Sequence, residues 1–316
     1  MTSPDHQITG TSSPPWARPL GGRLQADVPL GPLTTLKIGG PAEWYFAAQT
    51  RDDLVAALRL ARGADIPLTL LGDGSNVLIS DRGVRGLVVH NRAGRIERRG
   101  DDIYCESGAL LADLVERSGD EGLTGMEFAT GIYGTVGGAV FGNAGAYGKS
   151  MADILAWVEV LTTEGELVRI VPAGMEFSYR RSGCSAHGWI VVACQVQLAQ
   201  GDRGAIAAEI ARILSLRATK LPKDLPSAGS YFKNIEDPTA EFGKIPAGRL
   251  LEAVGAKALR VGDAAVYEHH ANVIVNLGHA RAADVLALAD SMKRRVKERY
   301  GIELDNEVRF VGIPHD

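Results

Sequence analysis

Two stretches of this chain combine glycine with apolar residues in a way that linkers do not. The first is Gly72-Asp73-Gly74-Ser75-Asn76; the second, residues 130–148, carries seven glycines (131, 134, 137, 138, 142, 145 and 148) among Ile132, Val136, Val140 and Phe141. Gly72-x-Gly74 begins like a dinucleotide fingerprint, but Val77 stands where the third glycine belongs, and the residues that follow read as strand rather than helix. The helix N-terminus that would carry a pyrophosphate is therefore missing. Another phosphate device remains open: small residues in a tight turn aim several backbone N–H groups at one point, and glycine permits the backbone angles and the close approach this needs. For 72–76 alone an ordinary hairpin turn explains the residues equally well. For 130–148, close approach of the main chain to a large flat ligand is the economical reading, and a ligand-free packing corner is the alternative.

Other chemistry-bearing types are sparse. Cys105, Cys184 and Cys194 are an odd, widely spaced trio, which fits neither a disulfide framework nor a zinc site and points to reduced thiols. His269 and His270 are adjacent; on a strand they point apart, and with no third ligand in view no metal is expected. Hydrophobic residues make up 45% and charged residues 23% of 316, the proportions of a folded protein of two or three domains. A net charge of −4 gives no reason to expect nucleic acid. No apolar run of about 18 residues predicts a membrane span, and the N-terminus lacks the pattern of a signal peptide. A cytoplasmic protein with no membrane partner is expected.

The elements that must position these residues follow from periodicity. Residues 1–22, rich in Pro, Ser and Thr, predict a flexible tail. A strand about Trp44–Ala47 leads to a helix that starts at Thr50 with a capping-box pattern to Asp53 and buries Leu54, Val55, Leu58 and Ala61. Strands at 66–71 and 77–80 flank the glycine turn. A second helix carries Leu110, Leu111, Leu114 and Val115. Residues 156–171 predict a hairpin about Glu164-Gly165, and 192–198 a half-buried strand. A helix with Ile206, Ile210, Ile213 and Leu214 on one face follows, then a loop at 221–230. The last helix starts near Ala282, turns Val285, Leu288, Ala289, Met292 and Val296 inward, and stops at Gly301. The class is α+β, with a boundary near residue 201.

TTLKIGGPAE (34–43), LGDGSNVLISD (71–81), the 130–148 stretch, YRRS (179–182), TKLP (219–222), AGSYFKN (228–234), AAVYEHHANVIVN (264–276) and EVRFVG (307–312) occur in this order. Together, over residues 25–312, they resemble the UDP-N-acetylenolpyruvoylglucosamine reductases, also called UDP-N-acetylmuramate dehydrogenases, of peptidoglycan precursor synthesis. The resemblance implies a p-cresol methylhydroxylase-type FAD-binding domain over 23–200, in two lobes (23–95 and 96–200). An α+β substrate-binding domain over 201–316 would follow, its C-terminal strand returning to the active site. FAD is the implied cofactor, NADPH the reductant, and UDP-N-acetylglucosamine enolpyruvate the substrate; a monomer is expected.

Reducing an enolpyruvyl ether takes a hydride to the terminal vinyl carbon and a proton to the carbon that bears the carboxylate. The hydride is the cofactor's business; the protein must hold the developing enolate-like charge and deliver the proton. Carried over motif by motif, the catalytic residues are Ser230 as proton donor, Arg180 as the grip on the carboxylate, with Arg181 its competitor should the register slip, and Glu307 as the C-terminal acid. Cofactor contacts would be Gly72, Gly74, Ser75, Asn76, Gly131, Thr135, Gly137, Gly138, Asn143 and Gly145. Substrate contacts would be Tyr179, Lys220, Asn234, Lys257 and His270. Tyr133 and Asn306 replace prolines of the pattern, and Asp73 puts an acid beside the phosphate turn, which would repel the cofactor unless it turned outward. The short link after YRRS resembles the subtype without the substrate-covering tyrosine loop. Two other readings stay open: another FAD oxidoreductase of this fold, and a non-catalytic UDP-sugar binder.

Overall fold

The computed structural model describes residues 14–240 and 243–313. Most of the expected N-terminal tail, residues 1–13, lies outside them. The part of it that is described is anchored. Pro15–Arg23 winds into 3-10 turns and buries Ala17 and Leu20 in one cluster with Phe46. Trp16 meets Trp44 edge-on, ring centroids 6.4 Å apart, and Arg23 forks onto Asp53 at 2.6 and 2.8 Å. Burying an aromatic and a leucine outweighs the disordering composition.

The first sheet runs in the order Gln25–Pro29, Pro41–Ala48, Val84–Asn91, Leu68–Leu71; its first pair is antiparallel and the others parallel. Helix α1 (Arg51–Gly63) covers it with Leu54, Val55, Leu58 and Ala61. The Thr50 hydroxyl caps the Asp53 amide at 3.1 Å, while the Asp53 carboxylate accepts from Gln49, one residue beyond the expected box.

The second sheet has five antiparallel strands, in the order Leu167–Ile170, Leu155–Leu161, Ile190–Gln197, Asp102–Glu106, Ile96–Arg99. Helices α2 (Leu111–Asp120) and α3 (Val136–Phe141) join its core. The strand Ile190–Gln197 alternates as expected from Cys194 onward, with Cys194, Val196 and Leu198 buried and Gln197 exposed; before that, Val191 and Val192 pack in opposite clusters, so both faces are covered there. Cys194 lies directly across from Cys105, both buried and both free thiols. A single turn, α4 (Cys184–His187), leads into the strand.

Helix α5 (Arg203–Ala218) starts at Asp202, whose carboxylate caps the Ala205 amide at 2.8 Å. It buries Ile206 and Ile213 but leaves Leu214 half exposed. Ile206 and Ile210 lie against Gly119 of α2, so α5 packs on the second lobe, although the sequence places it beyond the boundary at 201. The third sheet, Ser227–Ser230, Val273–Asn276, Ala264–Val266, Arg260–Val261, is antiparallel. The expected 221–230 loop thus ends in strand, and His269 and His270 sit in the turn before Val273 rather than on a strand. Helices α6 (Ala247–Ala253) and α7 (Ala282–Tyr300) back this sheet. Helix α7 buries its five expected residues and stops at Gly301, φ +68°, where a residue without Cβ carries no penalty.

The third sheet's layer is stitched to the first lobe. Arg309–Val311 pairs in parallel with Val77–Ile79. Asp81 accepts from the first two amides of α7, at 2.8 and 3.2 Å. Asn276 donates to the Leu36 carbonyl at 3.1 Å and Thr35 to that of Ser227 at 2.7 Å. Among the described residues no helix is long and apolar enough to cross a membrane, and no cluster of three potential metal ligands occurs.

Candidate active site

Where the three sheets meet lies a cleft of about 1290 Å³. The turn between Leu68–Leu71 and Val77–Ile79 forms one wall, and its hydrogen bonds have a direction. The Gly74 carbonyl accepts from the Thr35 amide at 3.1 Å and the Asn76 carbonyl from the Arg309 amide at 3.1 Å, both outside the turn. The amides of Asp73, Gly74, Ser75 and Asn76 donate to no backbone acceptor among the described residues, and all four residues line the cleft. Acceptors withdrawn and donors left over make an anion-binding nest. Asp73 has not turned outward; it lines the cleft half-buried, and burial pushes its pKa up, so it takes a proton more readily than an exposed aspartate.

Every glycine expected to contact the cofactor reaches the cleft wall, but most of them are glycine for another reason. A Cβ on Gly72 would lie 2.7 Å from the Thr135 hydroxyl, on Gly74 2.4 Å from the Leu33 carbonyl, and on Gly137 2.7 Å from the Ser107 side chain. On Gly145 it would meet the Lys149 carbonyl at 2.5 Å, and on Gly131 the Arg217 side chain at 2.6 Å. These positions are bare so that protein can pack there. Gly138 differs: a Cβ there meets only the Thr135 hydroxyl, at 3.6 Å, and it is the glycine whose exposed side faces the cleft. Within the stretch, 136–141 is helix α3, capped by Thr135, which accepts from the Gly138 amide at 3.3 Å. Isolated glycine spacing gave no sign of that helix, because its length is under two turns and two glycines lie in it.

The catalytic candidates converge. Arg180 and Glu307, 127 residues apart, form an ion pair with Nε donating to Oε1 at 2.7 Å. Glu307 arrives on the C-terminal segment: its amide donates to the Tyr231 carbonyl at 2.8 Å, and Asn76 of the nest donates to its carbonyl at 3.1 Å. Ser230 precedes Tyr231 on the edge strand of the third sheet and lines the same cleft. Arg180, not Arg181, is the arginine in the cleft; Arg181 is exposed. Tyr179 lines it too, with the Lys244 ammonium 3.3 Å from its ring centroid. Asn234 lines it while its side-chain oxygen accepts from the Ala247 amide at 3.1 Å.

Four candidates stand outside the cleft wall. Asn143 is buried; it donates to the Ser178 carbonyl at 3.0 Å and accepts from the Ala152 amide at 3.1 Å, so its polar atoms serve the fold. Lys257 is paired with Glu252 at 2.6 Å. His270 is half-buried, and burial, then the charges of Lys220 and Lys257, lower its pKa, which places Lys220, Lys257 and His270 as neighbours beside the cleft rather than in it. Conversely, two cleft arginines were not among the expected site residues, although Arg309 lies inside EVRFVG. Arg217 has a buried Nε without a partner, and burial lowers its pKa. Arg309 stacks on Phe141 at 4.3 Å, and burial alone lowers its pKa, with no carboxylate to offset it. Six basic side chains line the cleft against three acidic ones, in a chain of net charge −4. Such a cleft is built for anions.

Comparison with known proteins agrees with this geometry. Residues 221–311 match the model for the UDP-N-acetylenolpyruvoylglucosamine reductase C-terminal domain, and residues 42–171 that for an FAD binding domain. The UDP-N-acetylenolpyruvoylglucosamine reductase of Synechococcus sp. (strain JA-3-3Ab) is 42% identical over 93% of this chain and 93% of its own. That of Rubrobacter xylanophilus is 42% identical over 91% and 95%. The crystal structure of the reductase from Thermus caldophilus superposes with a TM-score of 0.76 at 36% identity, covering 92% of this chain and 99% of that one. An α+β chain with an FAD-binding domain followed by that C-terminal domain, it belongs to the UDP-N-acetylenolpyruvoylglucosamine reductase family of FAD oxidoreductases.

Proposed function

We propose that this chain uses FAD and NADPH to reduce UDP-N-acetylglucosamine enolpyruvate to UDP-N-acetylmuramate, as a cytoplasmic monomer. Ser230 is the proton donor, and Arg180 and Glu307 stabilise the enolate-like intermediate. The observation that carries this is the Arg180–Glu307 pair at 2.7 Å sharing one basic cleft with Ser230 and the nest. Lobes 23–95 and 96–200 supply the cofactor half, with α5 riding on the second. The remainder, with its returning C-terminal strand, supplies the substrate half.

The residues present fit FAD: four unengaged amides suit a diphosphate, and Gly138 leaves room for a ring against the main chain. When bound, the flavin carries hydride between reductant and substrate. The chain's part is electrostatic and positional. Arg180 holds the substrate carboxylate while its Nε stays on Glu307, and its charge is there as negative charge grows on that carboxylate. Ser230 then gives its proton to the carbon bearing the carboxylate. The intermediate is basic enough to take a proton from a hydroxyl. Tyr179, Asn234 and the neighbouring Lys220, Lys257 and His270 are assigned to the nucleotide-sugar end.

The visible spectrum of the purified protein tests this. Flavin bands should bleach on adding NADPH and return on adding the enolpyruvyl nucleotide without oxygen. Return by oxygen alone, with the nucleotide ignored, would point to an oxidase; a colourless protein would point to a binder.

A pair of glycine variants separates ligand from fold. Gly138→Ala adds a methyl where the protein leaves space, so FAD should be held about tenfold more weakly with no loss of thermal stability. Gly74→Ala sets a Cβ 2.4 Å from the Leu33 carbonyl at φ +67°, and should cost about 3 kcal/mol of folding stability. Flavin content and unfolding temperature read the two effects; equal behaviour of the variants would remove the distinction.

A further inference from the structure

Of the run AAVYEHHANVIVN, the proposed reaction gives a role only to His270. Asn272, two residues on, is 2% exposed and is not part of the cleft wall. A carboxamide buried so deeply needs partners at both ends, and Asn272 finds both on one residue. Its side-chain oxygen accepts from the Phe232 amide at 2.9 Å, and its side-chain nitrogen donates to the Phe232 carbonyl at 2.8 Å. Its own backbone carbonyl accepts from the Tyr231 amide at 2.8 Å. The side chain thus pairs with Phe232 as a neighbouring strand would, just past Ser230, where the ladder to Val273 ends.

The segment gripped in this way ties two of the proposed reacting groups together. Ser230 is bonded directly before it. The Tyr231 carbonyl accepts from the Glu307 amide at 2.8 Å, Phe232 bridges Asn306, and the Lys233 amide donates to the Asp305 carbonyl at 2.9 Å. The C-terminal segment that brings Glu307 therefore docks on backbone that Asn272 holds. We infer that Asn272 is the positioning residue that sets Ser230 against Glu307, its carboxamide standing in for the strand pairing that stops at Ser230. It acts through Tyr231 and Phe232, since it does not reach the cleft itself. Without it the Phe232 amide and carbonyl would be buried and unpaired, and the segment would shift to satisfy them. A displacement of about 1 Å at a proton donor costs on the order of 10² in rate.

The inference rests on the roles proposed for Ser230 and Glu307, and the test separates the two. Asn272→Asp discriminates, because a protonated carboxyl keeps the carboxamide's shape and its donor–acceptor pair, while a carboxylate has no donor. Burial against a carbonyl raises an aspartate above its usual ~3.9, so the donor is present in acid and lost as pH rises. On the FAD-loaded protein, stopped-flow absorbance follows bleaching by NADPH and return at saturating enolpyruvyl nucleotide, each as a ratio to the parent at the same pH. Return should be about 10²-fold slower at about pH 8 and within about tenfold at about pH 5.5, with bleaching within about twofold at both. The titratable or charged groups about the segment are His270, whose Nδ1 accepts from the Asn272 amide at 3.2 Å, Lys293, 5.9 Å from the Phe232 ring centroid, and Asp290, whose charge reaches Tyr231. All three are in the parent, so the ratio removes them. Asn272→Ser cannot span both groups and does not titrate; it should slow return about tenfold at either pH, and it carries the test should Asn272→Asp not fold. Equal loss in both half-reactions, a loss in Asn272→Asp that does not recover in acid, or parent-like return in the variant that folds would each overturn the inference. Parent-like return in Ser230→Ala would instead overturn the underlying reading, and this inference with it.

Discussion

Replacing Ser230 by alanine is expected to leave bleaching of the bound flavin by NADPH within about twofold of the parent, while slowing its return with the enolpyruvyl nucleotide by a factor on the order of 10²–10⁴, the range for loss of a general acid. The asymmetry follows from placement. Ser230 lies on the substrate side of the cleft, on the edge strand paired with Val273, whereas the nest and Gly138 belong to the other lobes. The substitution deletes one oxygen and leaves the ladder intact. The register irregularity between Ser227 and Ser230 rests on Gly229, φ +72°, so the backbone that presents residue 230 does not depend on its side chain. Stopped-flow absorbance of the two half-reactions measures the ratio. Equal loss in both would mean that Ser230 acts on the fold or the cofactor, and proton delivery would have to be assigned elsewhere.

How much of this arrangement could be read from the chain depended on whether the cause was local. The α7 stop at Gly301 and the hairpin at Gly165 are local, with φ +68° and +81°, and turn chemistry announces them. The α1 face is local as well. The anchoring of Pro15–Arg23 is not: it depends on Trp44 and Phe46, contacts that composition cannot anticipate. The same holds for α5, whose periodic face says that it packs but not against which lobe. The glycines were the instructive case. Their density does mark the cleft wall, yet Gly74 and Gly145 are bare because the Leu33 and Lys149 carbonyls press on them, a reason visible only once distant segments are brought together. Arg217 is the mirror image: an arginine at the end of a helix reads as solvent-facing until Gly131, with no side chain, is found beneath it.

Arg180→Lys should cost the substrate half-reaction a factor of about 10²–10³ with flavin content unchanged, and Arg181→Lys should cost nothing measurable. Both keep the charge, so the difference tests geometry. Arg180 has a left-handed backbone, φ +55°, which an arginine adopts only when its surroundings impose it. Those surroundings are visible. Ser178 and Arg181 exchange backbone hydrogen bonds at 3.1 and 3.2 Å around it. Asn143 donates to the Ser178 carbonyl, and Ser182 to the Phe141 carbonyl at 2.7 Å. Asn143, a cofactor contact by motif, thus holds the turn that presents Arg180. What this turn fixes is a planar fork with one edge committed to Glu307 at 2.7 Å, leaving the terminal nitrogens for a carboxylate held in two places. An ammonium in its stead can keep Glu307 or the substrate, but cannot grip the carboxylate bidentately while staying on Glu307. Steady-state and single-turnover rates with the enolpyruvyl nucleotide decide it: a lysine variant within about threefold of the parent would show that a point charge suffices and that the fork has no part in the chemistry.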